Sequence, residues 1–388
     1  MSSIQRAGND ENNRRLSFWD IKVWDEAVKF ANAHEKNFIF GEGRIGKALA
    51  FYFREAEIPF EGHITSNTLN DLKEVYEKEK NGVFLGLTDW YYQEIMPELM
   101  SFMDISDIFF IPETEKKYLE NQFTLSNIKN NFWLTVYAAY NCNINCKSCL
   151  VHSPLCKSAY YDYSQLVKDI SKLKELDISV HRMNFSGGEP MLNPRILDMF
   201  RFVRREFPDI PTTCFTNGSL LSKLNEEELI EMRDIGVEFA VTEYPLSNDK
   251  YHSDLARFYE KAIRLNLTFQ KIDDEDDKEF YKHPYDLDGN RPKHEFINCH
   301  RFRNCYMLCI HNGILDKCYN CRGAEKFNEY FGTEMKLTKQ DYICLENIKN
   351  ADEIYEYCMK RLPFCSFCKP IGDSFSWGVS ERKIEEWT

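Results

Sequence analysis

No apolar run in the 388 residues is long enough to span a bilayer, so no transmembrane helix is expected. Positive charge is scarce as well: 49 Lys and Arg stand against 62 Asp and Glu, a formal net charge of −13. A partner bound through its phosphates needs a basic face to displace counterions, so nucleic acid is not an expected substrate. The first fifteen residues have no apolar core of the kind a signal peptide carries, and a cytoplasmic location is expected. Internal repeats and long low-complexity segments are also missing. Cysteine, by contrast, is plentiful, with 14 in the chain. Where the compartment keeps thiols reduced, grouped cysteines point to metal or cluster ligation and away from disulfides. Cys214, Cys344 and Cys358 stand alone in apolar or helical surroundings and read as buried thiols.

The length favours two or three domains. Asn37-Phe38-Ile39-Phe40 reads as a buried strand that runs into Gly41-x-Gly43-x2-Gly46 and a helical pattern over 47–55. Further strands at 60–64, 83–87 and 108–111 make residues 1–128 a Rossmann-like α/β domain. A second alternation starts at Trp133-Leu134-Thr135-Val136. Helical signals at 163–173, 196–205, 226–235 and 253–265 alternate with strands near 182–185, 212–215, 238–241 and 268–272. That βα repeat predicts a parallel sheet or partial barrel over 129–280. The acidic run Asp273-Asp274-Glu275-Asp276-Asp277 reads as a solvated loop, and from about Tyr281 the chain is expected to be irregular, cysteine-rich and organised by a metal centre.

Cys142-x3-Cys146-x2-Cys149 places three thiols on one loop after a strand. They can bind three irons of a [4Fe–4S] cube and leave the fourth open, or take His152 as the fourth ligand of a zinc ion. The next strand ends in Ser186-Gly187-Gly188-Glu189-Pro190, where two glycines permit close backbone approach and Glu189 can accept from a cationic amine. The strand after that ends in Phe215-Thr216-Asn217-Gly218.

Three cysteines at this spacing, followed by Gly-Gly-Glu-Pro and Thr-Asn-Gly on a βα frame, resemble the radical S-adenosylmethionine (SAM) superfamily over about 133–272. The resemblance implies a partial (β/α)6 barrel in which Cys142, Cys146 and Cys149 hold the SAM-binding [4Fe–4S] cluster. It also implies that Gly187, Gly188 and Glu189 hold the methionyl amine of SAM, and that Asn217 and Thr242 lie near its ribose and adenine. Ser148 departs from the aromatic or bulky apolar residue many members carry before the third cysteine. The implied activity is reductive cleavage of SAM to a 5′-deoxyadenosyl radical that abstracts hydrogen from unactivated carbon, with flavodoxin or ferredoxin as reductant.

Cys299, Cys318, Cys365 and Cys368 offer four thiols, enough to close every iron of a second cube or to hold zinc. The arrangement resembles the Twitch domain, a shortened SPASM domain that follows radical SAM cores. An auxiliary [4Fe–4S] cluster in a small domain over 281–388 is the implied outcome. Cys305, Cys309 and Cys321 lie in the same stretch, and Cys299 and Cys318 are preferred for their spacing about Gly313.

The amino-terminal glycine pattern could cradle a pyrophosphate at a helix N-terminus. At the end of the second strand stands Thr65-Ser66-Asn67, where nicotinamide-binding folds carry an acidic residue, so a nucleotide or nucleotide-sugar is the expected ligand if one binds. The leading expectation for the whole chain is an oxidoreductase acting on a small polar, sugar-derived substrate by two-electron oxidation. The alternatives are a radical epimerase with Cys305 or Cys309 as hydrogen donor, a peptide-modifying enzyme, and a zinc-stabilised binding protein. His300, Arg301 and Tyr306 receive no role.

Overall fold

A computed structural model of the chain describes residues 21–122, 125–272, 279–303, 306–369 and 372–388. The acidic run 273–277 and Cys305 lie outside the described residues, as do the first fifteen residues. The chain divides into two compact units, one comprising residues up to Asn121 with His294–Asn298, the other Gln122–Lys293 with Cys299–Thr388. No helix among the described residues is long and apolar enough to cross a membrane.

The first unit contains α1 (Ile21–Ala33), β1 (Lys36–Phe40), α2 (Arg44–Ala56), β2 (Gly62–Ile64), α3 (Leu69–Tyr76), β3 (Asn81–Leu85), α4 (Asp89–Leu99), β4 (Ile108–Phe110) and α5 (Glu113–Gln122). Its strands form a parallel sheet in the order β2-β1-β3-β4, the Rossmann-like arrangement expected from the alternation. Trp24, Ala27 and Ala31 recur at helical spacing and are buried, which turns one face of α1 inward. The glycine pattern is used for packing: a Cβ on Gly46 would run into the carbonyl oxygen of Gly41, so only glycine lets α2 leave β1 this tightly.

The second unit continues with α6 (Leu125–Asn131), β5 (Trp133–Ala139), α7 (Tyr163–Glu175), β6 (Arg182–Gly187), α8 (Ile196–Glu206), β7 (Thr212–Thr216), α9 (Glu226–Ile235), β8 (Val237–Thr242), α10 (Asp249–Arg264) and β9 (Phe269–Ile272). Strands β5 to β9 are parallel neighbours in chain order, each reached through a helix. Alternate strand residues such as Leu134, Val136, Met183, Phe185 and Phe239 are buried in the main core. The α9 boundaries match the sequence expectation, because Asn225 and Glu228 form a capping box and Gly236 closes the helix in the left-handed region.

Beyond β10 (Glu279–Tyr281) the expectation of irregular chain fails. The region holds α11 (His300–Arg303), β11 (Met307–His311), β12 (Ile314–Asp316), α12 (Tyr319–Phe331), β13 (Ile343–Cys344), α13 (Ala351–Met359) and β14 (Ser374–Ser376). Strand β11 pairs in parallel with β5, and β12 and β13 extend the edge antiparallel, giving one eight-stranded sheet in the order β13-β12-β11-β5-β6-β7-β8-β9. Strands β10 and β14 form a separate antiparallel pair.

Candidate active site

Strand β5 ends at Ala139, and the loop after it carries Cys142, Cys146 and Cys149, all partly buried. Asn145 and Ser148 adopt positive φ, 54° and 52°, which curls the loop so that its sulfurs sense one another's charge. Burial pushes the Cys142 thiol up to about 11 and the Cys146 thiol up to about 12. The side chains of Trp377 and Tyr244 face Cys146 and oppose that rise. Iron would deprotonate such thiols outright, so their burial is compatible with cluster ligation.

The loop is fastened from far along the chain. Lys147 N donates to Gly378 O at 2.7 Å, Ser380 N to Asn145 O at 2.8 Å, and Trp387 Nε1 to Cys149 O at 3.1 Å. Ser148 is buried and donates its hydroxyl to Glu386 O at 2.6 Å, which accounts for a small polar residue before the third cysteine. His152 does not face the thiols. Its ring stacks on Tyr285 and Trp387 at centroid distances of 5.4 and 5.8 Å, so the zinc arrangement with His152 as fourth ligand is not formed.

The end of β6 lies against the same loop. Gly188 N donates to Ala139 O at 2.8 Å and Glu189 N to Asn141 O at 3.0 Å. Gly187 has φ of 127°, and a Cβ on either glycine would collide with the backbone of the loop, through Ala139 O for Gly187 and Asn141 O for Gly188. Glu189 is fully buried, and its carboxylate accepts from Thr216 Oγ1 at 2.7 Å, Asn217 N at 2.8 Å and Met191 N at 3.1 Å. Burial raises its carboxyl to about 7 against the pull of those donors. Asn217 Nδ2 donates to Asn143 Oδ1 at 2.9 Å and reaches Cys142 Sγ at 3.6 Å. Gly187, Gly188, Glu189, Asn217 and Cys142 are therefore one hydrogen-bonded network. Thr242 closes the next strand, outside that network and half-buried.

The other four cysteines lie near enough for their charges to act on one another, although among the described residues no three side chains are drawn into metal-binding geometry. The Cys318 thiol senses Cys299 and Cys365, and Cys368 senses all three. Burial pushes Cys318 up to about 12 and Cys365 to about 11. Asn320 Nδ2 donates to Cys368 Sγ at 3.0 Å. Cys321 turns away, its Sγ directed at Asp341 O at 3.6 Å. Gly313 brings no ligand near. It is the second residue of the β11–β12 turn, with φ of 81°.

The face of the sheet opposite the main core lines a cavity of about 220 Å³ bounded by Thr135, Asn184, Ser186, Phe215, Arg301 and Cys309, among others. Strand register puts Cys309, Thr135, Asn184 and Thr213 in one row across β11, β5, β6 and β7. A second cavity, of about 570 Å³, shares Tyr137, Val151, Tyr319 and Arg322 with the first. The Tyr137 hydroxyl donates to Val151 O, and its ring senses the Cys149 thiol, so the cavities adjoin the cysteine loop. Asn184 and Arg322 were not among the residues singled out from sequence. The signal for Asn184 was a polar residue between the apolar Met183 and Phe185, in line with Thr135 and Thr213.

Residues 136–274 match the family described as the radical SAM superfamily. A stretch of 112 residues is 29% identical to a GTP 3′,8-cyclase of Chlorobaculum tepidum, covering 29% of this chain and 32% of that protein. The chain thus spans about a third of the length of that curated relative. Among solved structures, BtrN in complex with AdoMet and 2-DOIA aligns with a TM-score of 0.38 at 15% identity, over 66% of this chain and 97% of that one. SuiB of Streptococcus suis bound to the precursor peptide SuiA aligns with a TM-score of 0.33 at 12% identity, over 73% and 84%. AnSMEcpe with bound AdoMet gives 0.29 at 18%, over 36% and 42%.

Proposed function

From a radical SAM domain over residues 136–274, whose family binds a [4Fe–4S] cluster and SAM, we infer that this chain is an enzyme that removes hydrogen from a small polar substrate and completes a two-electron oxidation. One observation carries the reading: Cys142, Cys146 and Cys149 share a loop on which their thiols sense one another's charge, and the backbone entering that loop is hydrogen-bonded to Gly188 and Glu189. When bound, the cluster and SAM supply reductive cleavage of a carbon–sulfur bond and, from it, hydrogen-atom abstraction.

The three cysteines would hold the cluster, and Gly187, Gly188 and Glu189 would offer backbone and carboxylate acceptors for the methionyl amine of SAM. Glu189 is pinned by three protein donors, so it orients the ends of β6 and β7 as well as binding. Asn217 and Thr242 stand at the neighbouring strand ends, toward the ribose and adenine. Walls of Thr135, Asn184, Ser186 and Phe215 exclude water from a cavity sized for a small molecule. Cys299, Cys318, Cys365 and Cys368 would hold an auxiliary [4Fe–4S] cluster, whose chemistry when bound would be that of a one-electron acceptor. A flavodoxin or ferredoxin supplies the first electron. The glycine pattern of the amino-terminal unit packs β1 on α2, and a nucleotide or nucleotide-sugar is the ligand class suited to its helix N-terminus.

Cys309 favours a second reading, epimerisation, because it is buried and lines the cavity, where a thiol can return a hydrogen atom to the opposite face. Anaerobic reconstitution with iron and sulfide, followed by reductant and SAM, tests the main reading. The native chain is expected to release 5′-deoxyadenosine and Cys146→Ala to release none. Cleavage that survives in Cys146→Ala overturns the inference, and solvent deuterium in an unoxidised product favours epimerisation.

A further inference from the structure

The cavity beside the cysteine loop has an unbalanced charge. Two guanidinium groups line it and no carboxylate does. Arg322, whose side chain is 7% exposed, is half-used: Nε and Nη2 donate to Asp316 at 2.8 and 2.6 Å, its plane covers Tyr137 at 4.4 Å, and its buried Nη1 has no hydrogen-bond partner. Arg301, also 7% exposed, donates to Lys317 O, Tyr319 Oη and Met307 O. Among the described residues no carboxylate lies within ion-pair distance of it. Arg322 is thus paired with Asp316 while Arg301 has no carboxylate partner, and a buried charge without a partner is costly.

Asn184 adds a second unused group. It is 3% exposed, lines the same cavity, and its Oδ1 has no partner. Thr213, beside it in strand register, is fully buried and its Oγ1 is likewise unpartnered. Buried polar atoms are almost always satisfied, so a donor on Arg322 and an acceptor on Asn184, two residues that line one cavity, describe what fills it.

We propose that this cavity binds a small hydroxylated molecule through an anionic oxygen group, a carboxylate or a phosphate, that accepts from Arg322 Nη1 while a hydroxyl of the same molecule donates to Asn184 Oδ1. Calling that molecule the substrate rests on the radical SAM reading; the anion site does not. Arginine suits the role because its fork can hold Asp316 on one edge and a ligand oxygen on the other.

The test is melting of the reconstituted holoenzyme titrated with orthophosphate or with acetate, ionic strength held constant with potassium chloride. A saturable rise in melting temperature is expected with at least one anion, and which of the two acts identifies phosphate or carboxylate as the source. Arg322→Lys keeps a charge for Asp316 but loses the spare nitrogen, and half-saturation should rise at least tenfold. If that variant does not fold, Arg322→Gln with Asp316→Asn removes the ion pair while the amide still offers His311 an acceptor, and should lose the response. No saturable rise with either anion, or an unchanged half-saturation in the variant, overturns the site. The response should persist at saturating SAM; its abolition would assign the anion to the carboxylate of SAM and overturn the substrate claim. SAM cleavage measured in parallel separates the two failures, since cleavage without anion binding refutes this site alone and anion binding without cleavage refutes the radical reading.

Discussion

At His152 an imidazole lies between two aromatic rings, and burial depresses its pKa to about 3 from 6.5. Above pH 6.5 folded and unfolded chains both carry it neutral and it adds no pH dependence. As pH falls below 6.5 the unfolded chain takes up a proton that the folded chain refuses. Stability is therefore lost from 6.5 down toward 3, by up to about 1.4 kcal/mol per pH unit. His152→Phe keeps the stacking and should flatten the fall by about one proton in urea unfolding of the holoprotein between pH 6.5 and 5. An unchanged slope would refute the assignment. From the sequence alone His152 stood three residues after Cys149 and read as well for a zinc ligand as for a packed ring. What separates the readings is Tyr285 and Trp387, which come from more than a hundred residues away and leave no local trace.

Among the elements, β6 carries the sharpest constraint, because its last residue and the one after it touch backbone where a side chain would sit. Gly188→Ala should push the strand end off the Asn141 carbonyl and weaken SAM binding at least tenfold, read from the SAM concentration that perturbs the electron paramagnetic resonance signal of the reduced cluster. Wild-type affinity in that variant would mean the close approach is dispensable. Helix α9 was legible because its caps are local, whereas α10 begins at Asp249, earlier than its apolar period suggested, since Asn248 caps a polar first turn by accepting from Lys250 and Tyr251. The β11–β12 hairpin carried its own signal in Asn312-Gly313, both at positive φ, yet Gly313 had been read for cysteine spacing. The pairing of β11 with β5 joins positions well over a hundred residues apart, and no short-range pattern encodes it.

For the whole molecule the second cysteine set makes a countable prediction. Cys318→Ala should lower iron in the reconstituted protein from about eight to about four per chain, while SAM is still cleaved but oxidised product is no longer formed. Equal iron in variant and wild type would remove the auxiliary cluster from the account. The net charge of −13 was read as disfavouring phosphate-backbone partners, and the two guanidiniums lining the cavity are compatible with that, since they are buried. Overall charge describes the surface, and says little about the sign of an interior.

Ser148 and Cys149 are each tied to a residue 238 positions downstream. The cysteine loop is thus not fastened in a half-made chain; it is finished only when the intervening strands have closed and the later segment has come back across them. Any ligand taken up by that loop would meet a seat that the far end of the polypeptide has helped to fasten.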